Sequence, residues 1–364
     1  MAMASMDFAR ALTWRLRRHA LDDASAASVA DVADRVLAFR AWPTDNADLT
    51  VATRLATPSM TALGTALARG DVIRSYAFRG GQYVFTRETG ATLLTARTAT
   101  GVWKTARWQE QGGFALDDWQ PLREAVRETL RSGPKTRREI STRLEAIPAL
   151  RHLAPAARGA GADSLYKPLH WWGDICFGPS IDGEAAFQLV IPALESIDLD
   201  DAGRRAVRAY LHAYGPATEA NLAYWLTDGL GVPRKRVQSW VADLADEVES
   251  FDLVGTPALV LRVDADDIAA AAPSDAVRLL PAYDPWVFGP GTADATIVPP
   301  ARRSLISNGA NIVIASGVVV GTWKMRADVV TIDAFAELDD RALRDEVARL
   351  AGTRGEHLEL TRAH

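Results

Sequence analysis

The chain has 364 residues, 48% of them hydrophobic and 24% charged, with a net charge of −5. That composition suits a water-soluble globular protein of two to four domains, and no window approaches the roughly 20 apolar residues that span a bilayer. The acidic balance argues against a general polyanion binder, the single Cys176 rules out an internal disulfide, and six scattered histidines offer no metal-ligand spacing.

The start of the chain has no apolar signal core, so a cytoplasmic, nucleoid-associated protein is expected. Residues 32–42 read as a first helix, Pro43-Thr44 as a turn and residues 45–55 as a second helix. An acidic residue, Asp71, then opens a strand, the turn Arg79-Gly80-Gly81 reverses the chain, and residues 82–85 return. The same grammar recurs with a sharper turn. Residues 122–130 and 137–144 read as helices around Gly133-Pro134-Lys135-Thr136, with Thr136 and Glu139 spaced as a capping box. Strands at 174–177 and 186–190 follow, and Cys176 beside Phe177 reads as a buried structural thiol. A third copy pairs residues 205–214 and 219–226 around Gly215-Pro216-Ala217-Thr218, followed by strands from Glu247 and from Ala258.

Helix, turn, helix and hairpin together make a winged helix. The three prolines fall roughly 80–90 residues apart, the size of one such module. The expected class is therefore α+β: winged-helix modules over residues 1–108, 109–196 and 197–277, then a β-rich cap over 278–364 with a closing helix, packed on the third module. In the cap, residues 311–315 and 318–325 read as a hairpin about Ser316-Gly317.

Basic residues cluster despite the acidic total. Arg137 and Arg138 open a helix in the second module, and Arg234, Lys235 and Arg236 open one in the third. A basic helix start grips phosphate with charge and free amides; a solvated exposed face is the plainer alternative. Arg302 and Lys324 flank the cap hairpin and could reach nucleic acid, against a purely structural hairpin.

Several motifs as a set resemble the tandem winged-helix family that includes the AlkZ-type DNA glycosylases, which unhook interstrand crosslinks. They are Gly215-Pro216-Ala217-Thr218 with Trp225, the stretch 167–179 (KPLHWWGDICFGP), the run 279–286 (LLPAYDPW) and Val320-Gly321-Thr322-Trp323-Lys324. The resemblance covers most of the chain. It implies three winged helices and a C-terminal β domain that bind double-stranded DNA and, in the family's enzymes, cleavage of N-glycosidic bonds of bulky alkylated purines; a monomer without cofactor or metal is expected.

The family's glycosylases carry Gln-Φ-Gln or Gln-Φ-Asp in the first module, and that slot here falls on Arg40-Ala41-Trp42. Hydrolysis builds positive charge on the sugar and needs an acceptor to orient water. Arg and the Trp indole are donors only. The resulting expectation is damage or adduct recognition with weak or no hydrolysis, Arg40 serving phosphate or a base edge and Trp42 stacking on a base; a surface charge and a core plug are the alternatives for these two residues. Arg79 at the first hairpin tip would enter a groove. Two other readings stay open: an active monofunctional glycosylase in which Asp45, or Asp48 next, supplies the missing acceptor, and a protein-interaction scaffold or transcription regulator.

Overall fold

A computed structural model describes residues 6–159 and 161–363. One order of elements recurs three times among them: helix, short strand, helix, helix, hairpin. In the first stretch the helices are Val29–Val36, Thr44–Ala52 and Ala62–Arg69, and the strand Phe39–Arg40 lies beside Gln82–Phe85, which pairs in turn with Ile73–Tyr76. In the second they are Trp119–Leu130, Arg137–Glu145 and Ala162–Trp171, with Lys135–Thr136, Ala186–Leu189 and Ile175–Phe177 in the same sheet order. The third has Leu199–Tyr214, Glu219–Leu222 continuing through Thr227, and Arg234–Asp243. There the hairpin of Val248–Leu253 and Thr256–Leu261 takes an Ala217–Leu259 bridge in place of the short strand.

The repeated proline turn is thus a strand connection between two helices, which corrects the reading of it as the turn of a helix-turn-helix. The expected helix over 32–42 ends at Val36, where Leu37 takes a left-handed φ of 63°. The chain then extends, because Phe39 and Arg40 bond across to Val84 and Tyr83. The sequence reading also missed the short helices Ala62–Arg69 and Ala162–Trp171, each closing on a hairpin.

Capping explains why two copies of the turn are sharp and one is not. Thr136 Oγ1 accepts from the Glu139 amide at 3.2 Å while the Glu139 carboxylate accepts from the Thr136 amide at 2.8 Å. Thr218 and Asn221 repeat the exchange at 3.2 and 2.8 Å. The first copy starts its helix from Pro43 with no side-chain cap.

The C-terminal sheet has five strands in the order Glu359–Arg362, Val329–Ala334, Val318–Arg326, Asn311–Ala315, Val277–Leu280, the first pair parallel and the rest antiparallel. The closing helix, Asp340–Arg354, lays Leu343, Val347 and Leu350 against Trp323 and Ile332. This sheet is not seated on the third stretch alone. Leu49 of the first stretch sits in its core, and the N-terminal helix Phe8–Arg18 divides its apolar face. Leu12 and Leu16 pack against Trp286 and Ile314, whereas Ala11 and Trp14 pack against Val260 and Ile268. Arg15, buried in the same helix, donates to the carbonyls of Tyr214 and Pro216 at 2.6 and 3.0 Å. A helix at one end of the sequence therefore ties the third repeat to the last sheet.

Candidate nucleic-acid interface

The slot at Arg40-Ala41-Trp42 lies where the first stretch, the third stretch and the C-terminal segment meet. Arg40 is half-buried at the end of its strand, its guanidinium 4.4 Å from the centre of the Tyr283 ring. Arg79, at the hairpin tip, lies 4.1 Å over the Tyr224 ring and donates to the Tyr224 carbonyl at 2.8 Å. Tyr83 is near both cations: burial pushes its hydroxyl pKa up, and Arg40 and Arg79 pull it back. Tyr224 is held up by burial and drawn down by the same pair. Two arginines and three tyrosines thus form one layer, over a floor that includes Phe78, Trp225 and Phe288. Guanidinium planes stacked on aromatic faces stay rigid and keep edge donors for an incoming acceptor.

A buried ion pair holds Tyr283 in that layer. Arg54 grips Asp284 with two donors, Nη2 to Oδ1 at 2.7 Å and Nη1 to Oδ2 at 3.0 Å, both side chains fully buried. Asp284 also accepts from the Trp286 amide at 2.9 Å and so caps the turn Pro285–Phe288. The preceding Tyr283 takes a left-handed φ of 64°, which turns its ring toward Arg40. Asn46 Nδ2 donates to the Ala282 carbonyl at 3.3 Å, so the helix Thr44–Ala52 holds this loop too.

Trp42 is 66% exposed, so it is not the core plug that was one alternative. Beside it, Asp45 is exposed and Asp48 half-buried. Burial, reinforced by Asp45, raises the Asp48 carboxyl to about 6.

Apart from Arg40 and Arg79, the basic residues singled out in the sequence do not line this layer. The first hairpin tip does not project freely: the Arg79 amide donates to the Gly229 carbonyl at 2.8 Å, docking the tip on the third stretch, although the side chain stays exposed. Most of the basic helix starts are already engaged. Arg137 pairs with Asp163 at 3.1 Å, Arg138 with Glu184 at 3.4 Å, Arg234 with Glu219 at 3.1 Å and Arg236 with Asp200 at 2.9 Å. Lys235 is exposed among them. Phosphate would have to compete with those carboxylates, a modest barrier for exposed pairs. Arg302 stacks 4.3 Å over Phe335. Lys324 is exposed but sits opposite Thr331, away from the Ser316-Gly317 turn. Cys176 is buried, its thiol pushed up to about 11 by burial, which suits a structural role. Among the described residues no group of three metal-ligating side chains is assembled, and no helix is long and apolar enough to cross a membrane.

The sequence reading quoted Tyr283 and Asp284 only as part of a motif and gave no role to Tyr224 or Arg54. An Asp followed by Pro, the usual opening of a capped turn, was the one local signal.

The sequence profile of a family described as "DNA glycosylase AlkZ-like" matches residues 33–353. An interstrand DNA cross-link repair glycosylase from Streptomyces sahachiroi is 30% identical over 356 residues, covering 94% of this chain and 95% of the relative. The solved structure of the Streptomyces sahachiroi DNA glycosylase AlkZ is similar over 100% of both chains, at 28% identity and a TM-score of 0.91.

Proposed function

Because the chain belongs to the AlkZ-like DNA glycosylase family, we propose that it is a duplex DNA-binding protein that recognises a damaged or adducted base, with hydrolysis weak or lost. In this reading the three helix-and-hairpin stretches are winged helices, and the arginine-tyrosine layer is the surface that meets the lesion.

One observation carries the proposal. In the slot where the family's enzymes hold Gln-Φ-Gln or Gln-Φ-Asp, this chain sets a guanidinium against Tyr283 and an indole open to solvent. Neither side chain accepts a hydrogen bond, so neither can orient a water for attack. A fixed cation would also oppose the positive charge that grows on the sugar as the bond breaks. The same pair favours binding: a planar cation for phosphate or a base edge, and an exposed ring for stacking.

The test has two parts. Fluorescence anisotropy with plain and N7-alkylated duplexes at low salt should show binding that weakens in Trp42→Ala; no binding to either duplex would end the proposal. Release of N7-alkylguanine from the same duplex should stay near background.

A second reading, an active glycosylase, gains from one observation. Asp48 is raised to about 6, close to the pKa a general base needs near neutral pH, and Asp45 stands beside it. Base release that disappears in Asp48→Asn or Asp45→Asn would establish that reading in place of the first.

A further inference from the structure

A cavity of about 650 Å³ opens in the second stretch, and none of its lining residues belongs to the arginine-tyrosine layer. We propose that it is a binding site for a small monoanion with a flat apolar body, an aromatic carboxylate being the simplest case.

The volume lies within the range of small-molecule sites. The walls are mainly apolar: Leu94 from the helix Arg87–Thr98, Trp171 and Trp172 at the end of Ala162–Trp171, and Leu189 and Leu194 on the way to the third stretch. The charged side chains of the wall include a cationic pair. Arg123 and Arg127, one turn apart on Trp119–Leu130, both hold the buried carboxylate of Asp174. Arg123 donates through Nε at 2.6 Å and Nη2 at 3.1 Å; Arg127 donates through Nε at 3.0 Å and also through Nη2.

Two guanidiniums on one carboxylate leave a positive charge unneutralised at the cavity wall. Both arginines use the same two nitrogens for Asp174, and neither Nη1 has an acceptor among the described residues. Asp174 thus orients the pair and spends one charge, while the outer donors remain for a second anion. The remaining carboxylate in the wall, Glu195, is exposed and pairs at 3.2 Å with Arg205, which it shares with Asp201. Arg123 lies 4.6 Å over the Trp172 ring, so the cationic pair adjoins an aromatic face. A flat ring would lie against the apolar wall of Leu94, Leu189 and Leu194, with its carboxylate toward Arg127, whose side chain is 40% exposed.

The test is titration of the full chain with 2-naphthoate, followed by calorimetry and tryptophan fluorescence, with neutral 2-naphthamide as the matched probe. The expected result is naphthoate binding at least tenfold tighter than naphthamide. Arg127→Met leaves Arg123 on Asp174, and it should erase that preference while leaving naphthamide affinity within twofold. Thr95→Trp, which fills the cavity from its helix wall, should abolish binding of both probes. DNA affinity of both variants should match the parent chain, which keeps this test separate from that of the interface. No naphthoate binding, equal affinity for the two probes, or indifference to both substitutions would each overturn the proposal.

Discussion

Two carboxylates near the helix Thr44–Ala52 live in opposite circumstances. Asp284 is fully buried, yet Arg54 meets it with two donors and the Trp286 amide adds a third. Asp48 is only half-buried, yet burial together with Asp45 raises it to about 6. The deeper acid is the better satisfied, because partners rather than depth decide what a buried charge costs. Asp284 therefore belongs to the frame that fixes Tyr283. Asp48, with Asp45 as its charged neighbour, belongs to the more open side of the same helix.

The largest effect should follow from breaking the satisfied side. Asp284→Ala leaves the Arg54 guanidinium buried without its partner and should cost roughly 3–5 kcal/mol in denaturant unfolding. Replacing both, as Arg54→Met with Asp284→Leu, should recover most of that loss. A double variant as unstable as the single one would mean that the turn at Pro285, and not the ion pair, carries the energy.

Asp48→Asn should act in the reverse direction. The folded-state pKa lies above the unfolded value of 3.8, so the native state holds the proton more tightly. The stability this brings is fully present below about pH 4 and is lost as pH rises through about 6. Removing the charge should therefore stabilise the protein at pH 7 by about 1–2 kcal/mol after discounting for solvent screening, and hardly at pH 4. Equal effects at both pH values would sink the contrast between the two acids.

Trp42→Ala should leave the melting temperature unchanged and weaken binding to alkylated duplex roughly tenfold, the loss expected for one stacked base. The smallest effect belongs to an exposed pair. Arg138→Ala, which frees Glu184, should change stability by less than about 0.5 kcal/mol, and a fall in DNA affinity there would show that phosphate does displace the carboxylate.

What could be read in the sequence was local. Thr136 and Glu139 announce their capping box because both partners lie within one turn, and the hairpins announce themselves through glycine turns between β-rich runs. Counting from the first copy of the turn put the slot expected from the family resemblance at Arg40 and Trp42. The layer around that slot was hidden, since Arg54 and Asp284 are 230 residues apart in sequence and meet only when the last sheet packs on the first stretch. The helix Ala62–Arg69 was missed because its eight residues give barely two turns of pattern, short for a helix assignment. Residues 37–42 were given to a helix because their apolar character fits either element; strand pairing to Gln82–Phe85, a tertiary contact, decided it.

The proposed function has Arg40 and Trp42 standing in place of the family's catalytic pair, with recognition kept and efficient hydrolysis lost. Single-turnover release of N7-alkylguanine from an alkylated duplex tests it most directly, comparing the native chain with the Arg40→Gln, Trp42→Gln double variant. Release should stay near background for the native chain and rise clearly in the variant. Rapid release by the native chain, unchanged in Arg40→Ala, would contradict it.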